Sequence, residues 1–393
     1  MNPKLLFFKH LAPTSDAPLA LEIESAEGMY FTTTDGKKIL DLIAGISVSV
    51  LGHRHPTVED AVQSQVKKYW HTMVYGEFVL SPQVAYAKAL TDNLPAKLNS
   101  VYFTNSGTEA IEGAMKLAKR VTGRKKFVAA RNAYHGSTQG AMSLNSSDYF
   151  TEAYKPLLPN IEWLNYNAFE DLILIDENTA AVIIETVQAE SGINPPSVNY
   201  LEAMYARCKQ VGALLILDEA QAGFGRTGKL WGFCHSHIHP DILVLAKSLG
   251  GGFPLGAFIG SNKLMQTLSE NPVLGHITTF GGHPVSCAAG LATFNTLIES
   301  NLIAQCEAKR QLFLKNLKHP KIKTIRSIGL WLAVELDSFD AVKHVITYCL
   351  QHGVLTDWFL FNDKCLRITP PLIITENEII MACKVICEGL DNL

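Results

Sequence analysis

The sequence predicts an α/β protein built on a mainly parallel sheet with helices on both faces. From about residue 100 onward, short apolar runs alternate with stretches of helical periodicity, which is the pattern of such a sheet. The clearest helical stretches are residues 108–120 and 199–211, and residues 285–318 predict one or two further helices. The apolar runs that we interpret as strands are residues 101–103, 127–129, 181–184, 214–217, 242–245 and 257–259.

The two ends of the chain have a different pattern. Residues 20–43 alternate between polar and apolar and are interrupted by a turn signal at 35–36, which predicts a small antiparallel meander. The C-terminal part mixes strand and helix patterns. We therefore expect a large domain over residues 46–290 and a smaller α+β domain formed by residues 1–45 together with 291–393.

The composition excludes several classes of function. The chain has 393 residues, of which 47% are hydrophobic and 18% charged, and its formal net charge is −3. No basic stripe is present, so we expect no nucleic-acid partner. No apolar run is long and charge-free enough to span a bilayer, so we expect no membrane association. The first ten residues lack the pattern of a secretory signal and the eight cysteines show no paired spacing, which favours a cytoplasmic protein.

Lys247 follows the apolar run 242–246 and precedes a glycine-rich segment. Burial disfavours the ammonium form, so a lysine at the end of a buried strand shifts towards the neutral amine, which can attack an aldehyde cofactor. Asp218 ends the preceding apolar run, 214–217, where its carboxylate can keep a pyridine nitrogen protonated. Lysine and aspartate are the pair that pyridoxal 5'-phosphate (PLP) requires, so the sequence predicts PLP as cofactor.

A candidate phosphate site follows the first strand of the sheet. Asn105-Ser106-Gly107-Thr108 leads from strand 101–103 into a helix, and a helix N-terminus offers free N–H groups and a positive dipole to an anion. An ordinary helix cap made by Ser106 or Thr108 explains the same residues. This segment therefore decides nothing by itself.

Two further loops supply polar groups. Tyr134-His135-Gly136 can stack an aromatic ring on a flat ligand while the backbone passes close by. Glu185 and Glu190 follow the strand 181–184, where carboxylates fit a crevice at the carboxyl edge of a sheet. A solvated surface loop is the alternative for residues 185–192.

Two motifs compete with the PLP interpretation. Residues 223–228 match the G-x-G-x-x-G pattern of dinucleotide sites, but the residues that follow do not open the helix that a pyrophosphate needs. The tract of three histidines over 235–239 resembles a metal site. It lacks a set of ligands with metal spacing, so we expect surface histidines and no metal.

The last two candidates follow Lys247 in the chain. Thr279 belongs to a small, glycine-rich turn over residues 278–284, just before a helix. Arg367 lies among apolar residues, where an arginine is rarely left unpaired. It either holds a carboxylate of the substrate in a bidentate grip or forms a structural salt bridge.

Taken in chain order, these segments resemble the class III, ornithine aminotransferase-like, PLP-dependent aminotransferases of fold type I. The resemblance runs from Leu51–Pro56 to the segment around Arg367, which is nearly the whole chain. It implies a large domain with a mainly parallel sheet flanked by helices, plus a smaller α+β domain. It also implies a homodimer with shared active sites, in which Thr279 reaches the phosphate of the neighbouring subunit.

The resemblance also implies roles at the cofactor. Lys247 would bind PLP covalently and then move the proton between the substrate carbon and the cofactor. Asp218 would pair with the pyridinium nitrogen, and Gln221 would contact the phenolic oxygen. The remaining cofactor residues would be Ser106, Gly107 and Thr108 at the phosphate, Tyr134 on one face of the ring, and His135 and Glu185.

At the substrate, Arg367 would bind a carboxylate. Glu190 matches the glutamate that, in ornithine and 4-aminobutyrate enzymes, pairs with that arginine and moves away when a dicarboxylate arrives. We therefore expect a small-molecule amino donor and a 2-oxo acid. The expected reaction moves the terminal amine of an ornithine- or acetylornithine-like donor to 2-oxoglutarate by a ping-pong mechanism.

Three residues depart from the family pattern. Ala220 replaces the valine that packs under the cofactor ring, and Thr186 replaces a proline. Ser137 stands where ornithine and acetylornithine enzymes carry an arginine that helps to bind a carboxylate. Either the donor lacks that carboxylate or another residue holds it.

Other functions compete with the transaminase. A PLP-dependent aminomutase or a decarboxylating transaminase keeps the cofactor but changes the reaction, although Glu190 argues against the mutase, which exchanges no dicarboxylate partner. A nicotinamide dehydrogenase would use residues 223–228. A non-catalytic protein of the same fold is disfavoured because every polar group that the cofactor needs is present.

Overall fold

The computed structural model describes residues 2–393. Its strands form three separate sheets. They are β1 (Ile23–Glu27), β2 (Tyr30–Thr33), β3 (Lys38–Asp41), β4 (Ser100–Thr104), β5 (Lys126–Ala130), β6 (Ile161–Leu164), β7 (Thr179–Glu185), β8 (Leu214–Asp218), β9 (Ile242–Leu245), β10 (Gly256–Gly260), β11 (Thr324–Ser327), β12 (Leu332–Glu335), β13 (Val354–Leu355), β14 (Asp357–Phe359) and β15 (Asn362–Ile368).

The helices flank and connect these sheets, and several shorter 3-10 turns lie between them. The helices are α1 (Pro3–His10), α2 (Ala44–Ser47), α3 (Pro56–Val66), α4 (Ser81–Asp92), α5 (Gly107–Thr122), α6 (Gln139–Met142), α7 (Asp148–Thr151), α8 (Tyr200–Val211), α9 (Asn262–Met265), α10 (Pro284–Glu299), α11 (Leu302–Asn316), α12 (Phe339–Gln351) and α13 (Glu376–Asp391).

The large sheet has seven strands in the order β4-β10-β9-β8-β7-β5-β6. Its strands run parallel except β10, which is antiparallel to both of its neighbours. The predicted α/β class and mainly parallel sheet are confirmed, and each of the six predicted runs lies within a strand. The sequence did not predict β6, because this edge strand is only partly buried and lacks a continuous apolar run.

Side chains of the central strands alternate between two apolar layers. On β7, Ala181 and Ile183 pack with α5, whereas Val182 and Ile184 belong to the larger core that includes residues of α8 and α10. Both faces of β7 are therefore buried, which explains its unbroken apolar sequence. Among residues 2–393, no helix is both long and apolar enough to cross a lipid bilayer.

The predicted meander is confirmed as β1, β2 and β3, which pair antiparallel. β13, from the C-terminal part of the chain, adds to this sheet by pairing parallel with β3. The third sheet has the order β11-β12-β15-β14 and also comes from the C-terminal part. Both ends of the chain thus share one sheet, and the division into domains at residues 46 and 290 stays a prediction.

The parallel strands bring the candidate site residues to one edge. β7 and β8 end side by side, since Glu185 is the register partner of Asp218. β9 pairs with β8 and leads directly to Lys247. β4 leads in the same way to Ser106, the N-cap of α5. The carboxyl edge of the large sheet is therefore the candidate active site, as is general for such sheets.

Helix α10 supports the turn that carries Lys247. A Cβ atom added to Gly290 of α10 would lie 2.2 Å from the carbonyl oxygen of Leu249 and 2.5 Å from the ring of Tyr86. Replacing Gly290 with alanine should therefore lower the stability by about 1–3 kcal/mol, because an overpacked backbone contact must give way. The measurement is the midpoint of thermal unfolding.

Gly260 supplies the matched control. A Cβ atom there meets its nearest neighbours at 3.5 Å, which is an ordinary contact. G260A should lose much less stability than G290A. Equal midpoints for the two variants would show that α10 does not pack tightly against the lysine turn.

Candidate active site

Lys247 begins a short 3-10 turn with an unusual backbone. Its φ is 53°, a left-handed value that costs a lysine free energy unless the surroundings enforce it. Tyr86 donates its hydroxyl to the carbonyl of Leu249 (2.7 Å), and Ser248 donates its hydroxyl to the carbonyl of Ser47 (2.8 Å). These two hydrogen bonds fix the turn from both sides.

The electrostatic surroundings of Lys247 favour a reactive amine. Burial lowers the pKa of Lys247, and this effect outweighs the attraction of the carboxylates of Asp218, Glu190 and Glu185. A smaller fraction of the amine is therefore protonated than in an exposed lysine. The side chain can act as nucleophile and as base in the same place.

Asp218 is held by His135. The Nδ1 atom of His135 lies 2.8 Å from Oδ2 of Asp218, and both side chains are buried. The other carboxylate oxygen, Oδ1, accepts from the backbone N–H of Ala220 at 2.9 Å. The Nε2 atom of His135 has no hydrogen-bond partner among the described residues. The pair thus presents an oriented carboxylate together with an unsatisfied polar atom.

Glu185 differs from Asp218 although the two residues are neighbours in the sheet. Burial, and then the charge of Asp218, raise the pKa of Glu185 well above its ordinary value. Its Oε1 atom accepts from the N–H of Ala189, while Oε2 has no partner within residues 2–393. Residues 185–192 are buried, so the alternative of a solvated loop was wrong.

Glu190 and Arg367 form a buried bidentate salt bridge. Nη1 and Nη2 of Arg367 donate to the two carboxylate oxygens of Glu190 at 2.9 and 2.8 Å. Burial alone would raise the pKa of Glu190, but the guanidinium and hydrogen bonds from Gln221 and the N–H of Leu360 hold it below its usual value. The Oε1 atom of Gln221 has no partner in the described chain.

The N-terminus of α5 closes one side of the site. Ser106 is its N-cap, and its hydroxyl accepts from the N–H of Glu109 at 3.3 Å. The cap satisfies only one donor of the first turn, so others are free to bind an anion. A Cβ atom on Gly107 would lie 3.0 Å from Cβ of Ala246, which places this helix end directly beside the lysine turn.

The aromatic loop packs against the same helix end. A Cβ atom on Gly136 would lie 2.2 Å from Oγ1 of Thr108, so only glycine permits this approach. Thr108 also shares a 2.7 Å hydrogen bond with Thr138. Tyr134 is partly buried and lies 3.0 Å from Ser137, hydroxyl to hydroxyl.

A cavity of about 480 Å³ opens beside this loop. None of its lining side chains carries a charge near neutral pH. On the other side, the cavity meets Leu360 and Phe361, whose backbone N–H groups both bind Glu190. The lining residues are Tyr134, Gly136, Ser137, Gln139, Met142, Asn145, Tyr149, Phe150, Ala153, Tyr154, Leu360 and Phe361.

Not every candidate lies in this cluster. Thr279 is exposed on the loop before α10, and its predicted reach to a second subunit stays a prediction. His235, His237 and His239 are exposed, as expected for surface histidines. Residues 223–228 lead into a 3-10 turn at 232–235 rather than a helix, which agrees with the rejection of a dinucleotide site.

Sequence reasoning missed two acidic residues of the site. Glu112 accepts hydrogen bonds from the hydroxyl of Thr138 and from the N–H groups of Gly140 and Ala141, so it anchors the aromatic loop to α5. Its position one helical turn after Thr108 was the available signal. Asp357 lies 2.9 Å from Nε of Arg367, and its contact across two strands leaves no sequence signal.

Comparison with known proteins decides the family. The family model described as aminotransferase class-III matches residues 11–390. The acetylornithine aminotransferase of Methanopyrus kandleri is 38% identical over 388 residues, which cover 97% of this chain and 96% of that protein. The chain belongs to the class-III aminotransferases.

Other members differ in the substrate that they are named for. The [LysW]-aminoadipate semialdehyde/glutamate semialdehyde transaminase of Sulfolobus acidocaldarius is 35% identical over 375 residues, covering 94% of this chain and 95% of that protein. An ornithine aminotransferase structure from Toxoplasma gondii, with partial occupancy of PLP at its active site, has a TM-score of 0.91. It is 30% identical and covers 99% of this chain and 94% of its own. The chain is therefore a transaminase with the fold type I architecture.

Membership of the class-III aminotransferases implies PLP as cofactor, and the site has the chemistry to receive it. Buried polar atoms without partners are costly, and three of them belong to residues at or just after the carboxyl ends of β5, β7 and β8: His135 Nε2, Glu185 Oε2 and Gln221 Oε1. The α5 N-terminus suits a phosphate, the carboxylate of Asp218 suits a ring nitrogen, and the amine of Lys247 suits an aldehyde.

Replacing Lys247 with alanine should abolish transamination and covalent attachment of PLP, because the nucleophilic amine is removed. The measurement is borohydride reduction after incubation with PLP, followed by peptide mass spectrometry. The wild-type protein should carry reduced pyridoxyl phosphate on the peptide that contains Lys247. Lys263 is exposed, so K263A is the control and should be modified like the wild type. Unchanged turnover in K247A would contradict the assignment.

Proposed function

We propose that this transaminase moves the terminal amino group of an ornithine- or acetylornithine-like donor to 2-oxoglutarate in a ping-pong cycle. The observation that carries the proposal is the buried Glu190–Arg367 salt bridge next to Lys247. Its guanidinium can serve two substrates in turn, because one carboxylate partner can be exchanged for another. The names of the relatives support a donor with a terminal amine.

In this proposal the chain holds PLP from several sides. Ser106, Gly107 and Thr108 receive the phosphate at the N-terminus of α5, where the free N–H groups point outward. Tyr134 covers one face of the ring. The other groups that contact the cofactor are His135, Glu185 and Gln221, whose unsatisfied atoms gain partners, together with Asp218 and Lys247.

PLP, when bound, withdraws electrons from the substrate carbon next to the amino group. Asp218 sustains that effect by holding a positive charge on the ring nitrogen, and His135 fixes the direction of its carboxylate. Lys247 has a lowered pKa, so it can accept the proton from the substrate carbon and deliver it to its new position. Burial keeps competing water away from this proton transfer.

Glu190 sets which end of the substrate approaches Lys247. While it occupies Arg367, the guanidinium offers no free edge to the α-carboxylate of an amino acid, so a terminal amine enters instead. A dicarboxylate oxo acid supplies its own carboxylate to Arg367 when Glu190 moves away. Before that, hydrogen bonds from the side-chain amide of Gln221 and from the backbone N–H of Leu360 hold Glu190 against Arg367.

We also propose that two copies of the chain share their active sites, with Thr279 reaching the phosphate bound by the partner. Large apolar side chains are exposed near Thr279 in sequence and on the segment before α4, and such groups favour association. Among them are Trp70 (68% exposed), Phe78 (53%), Val79 (90%), Ile277 (47%) and Phe280 (53%).

The proposed reaction is tested by following its two half-reactions separately. Purified enzyme loaded with PLP absorbs visible light, and a true donor added without any oxo acid should bleach that absorption. Ornithine, acetylornithine and simple ω-amines are added one at a time, and 2-oxoglutarate should then restore the colour. Release of carbon dioxide, or isomerisation without an oxo acid, would instead support a decarboxylating transaminase or an aminomutase. A protein that binds NAD and no PLP would overturn the proposal.

A substitution at Ser137 tests how the donor is held. The cavity beside Ser137 has no charged lining residue, so a carboxylate of the donor finds no cation from this chain there. Replacing Ser137 with arginine should lower KM for acetylornithine roughly tenfold, since a new charge-assisted hydrogen bond contributes about 1.5 kcal/mol or more. The measurement is the rate of the donor half-reaction against donor concentration.

S137Q is the matched control, because it adds length without charge. It should leave KM for acetylornithine close to the wild-type value. An amine without a carboxylate should gain nothing from S137R. If both variants improved acetylornithine equally, the effect would be one of packing and another residue would hold the carboxylate.

A further inference from the structure

The cavity beside the aromatic loop lies where the distal end of a donor would be held. Gly136 lines it and packs against Thr108 at the N-terminus of α5, the end of the helix that faces the lysine turn. Leu360 and Phe361 line its other side, and their backbone N–H groups bind Glu190. A volume of about 480 Å³ is that of a small-molecule site. The chemistry of its walls therefore indicates the chemistry of the donor's distal end.

Aromatic rings form much of the wall. Phe150 packs edge to face on Phe361, with ring centroids 5.3 Å apart, and on Tyr149, with centroids 4.9 Å apart. Tyr134 and Tyr154 also line the cavity. Aromatic walls favour apolar or flat groups over charged ones that need water around them.

Neutral amides supply the polar part of the wall. The Oδ1 atom of Asn145 accepts from the backbone N–H of Ser147 at 2.9 Å, so its amide is oriented by the chain. The two N–H donors of that amide are left for a ligand. Gln139 adds a second amide to the lining. An amide N–H can bind a carbonyl oxygen without a charge on either partner.

We propose that this cavity binds an uncharged acyl group at the distal end of the donor, and that the preferred donor is a monoacylated diamine that carries no carboxylate. The inference rests on the proposed function, because it requires a terminal amine to react at Lys247. It narrows the donor class within that function. The amino group passes to 2-oxoglutarate, which becomes glutamate, and the donor leaves as the acylated amino aldehyde.

A donor carboxylate finds no free cation at the rim of the cavity beside Tyr154. Lys155 follows Tyr154 in the chain, but its amine lies 2.9 Å from Oδ1 of Asp148 and also contacts Glu152. This part of the rim thus carries one cation and two anions. An added carboxylate would be repelled there, whereas a neutral acyl group would not.

Arg367 does not offer an alternative partner to the donor. Both terminal nitrogens of its guanidinium bind Glu190 while the terminal amine reacts. A carboxylate brought into the cavity would therefore lose hydration without gaining an ion pair. A donor that lacks this group avoids the loss and leaves the salt bridge intact.

The experiment compares two donors that differ only by the carboxylate, namely N-acetyl-1,4-diaminobutane and N2-acetylornithine. Values of kcat/KM are measured with the holoenzyme at a fixed concentration of 2-oxoglutarate. The diaminobutane derivative should be preferred about tenfold, because an unpaired carboxylate costs at least as much as one hydrogen bond to a charged group. Equal values, or a preference for acetylornithine, would overturn the inference.

Replacing Asn145 with aspartate tests whether the cavity holds the acyl group. N145D keeps the oxygen that accepts from Ser147 but replaces the amide donors with a negative charge. The ratio of kcat/KM for N-acetyl-1,4-diaminobutane to that for 1,4-diaminobutane should fall about tenfold, since the new charge repels the acyl oxygen and attracts a second ammonium group. A wild-type ratio in N145D would contradict the assignment of the cavity.

N99D is the matched control. The Oδ1 atom of Asn99 also accepts from a backbone N–H, that of Asn262 at 2.8 Å, but Asn99 precedes β4 and does not line the cavity. N99D should keep the wild-type ratios for all three amines. An N99D variant that changed them like N145D would show an effect of net charge alone and would overturn the inference.

Failure of the proposed function has a different signature. It fails if no terminal amine bleaches the absorption of the bound cofactor, or if 2-oxoglutarate does not restore it. If terminal amines react but only another oxo acid restores the colour, the acceptor is wrong and the ratio of the two acetylated donors still decides the inference. A holoenzyme that reacts with no terminal amine would overturn both.

Discussion

The salt bridge between Arg367 and Glu190 is the interaction on which the rest of the site depends. Two charges buried together gain little stability over an apolar pair, because their desolvation offsets their attraction. What the pair provides is a connection. Glu190 also binds Gln221 near the lysine turn and the backbone of Leu360 in the third sheet, so one carboxylate links two sheets.

Backbone strain is concentrated at Lys247 and in the short helix α2. Lys247 itself has a left-handed φ, and so do the four consecutive residues Ala44–Ser47 of α2. Each non-glycine residue in this region costs on the order of 1 kcal/mol or more, so tertiary contacts must hold it. The bond from Ser248 to the carbonyl of Ser47 joins the two strained segments. The lysine turn is thus anchored to α2.

The sequence predicts the large sheet and most of the candidate active site. Strands that are buried on both faces have unbroken apolar sequences, and the polar residues that follow them are therefore easy to recognise. Lys247, Asp218, Glu185 and Glu190 all follow such runs. Edge strand β6 and Asp357 could not be found in this way. Their roles depend on pairing between distant segments, and local periodicity carries no information about such pairing. Local sequence cannot test the role of Thr279 either, since its partner would belong to another copy of the chain.

Glu185 and Asp218 are similar side chains, but the fold gives them different hydrogen-bond partners. They are neighbours in adjacent strands, yet Asp218 has both oxygens engaged, by His135 and by a backbone N–H, whereas Glu185 keeps one oxygen unsatisfied. Burial, and then the charge of Asp218, raise the pKa of Glu185 well above its ordinary value, towards that of a neutral acid. A neutral Glu185 can donate a hydrogen bond from the oxygen that has no partner in residues 2–393. A ligand that presents an N–H to the oriented side chain of Asp218 and an acceptor to Glu185 beside it therefore matches this edge of the sheet.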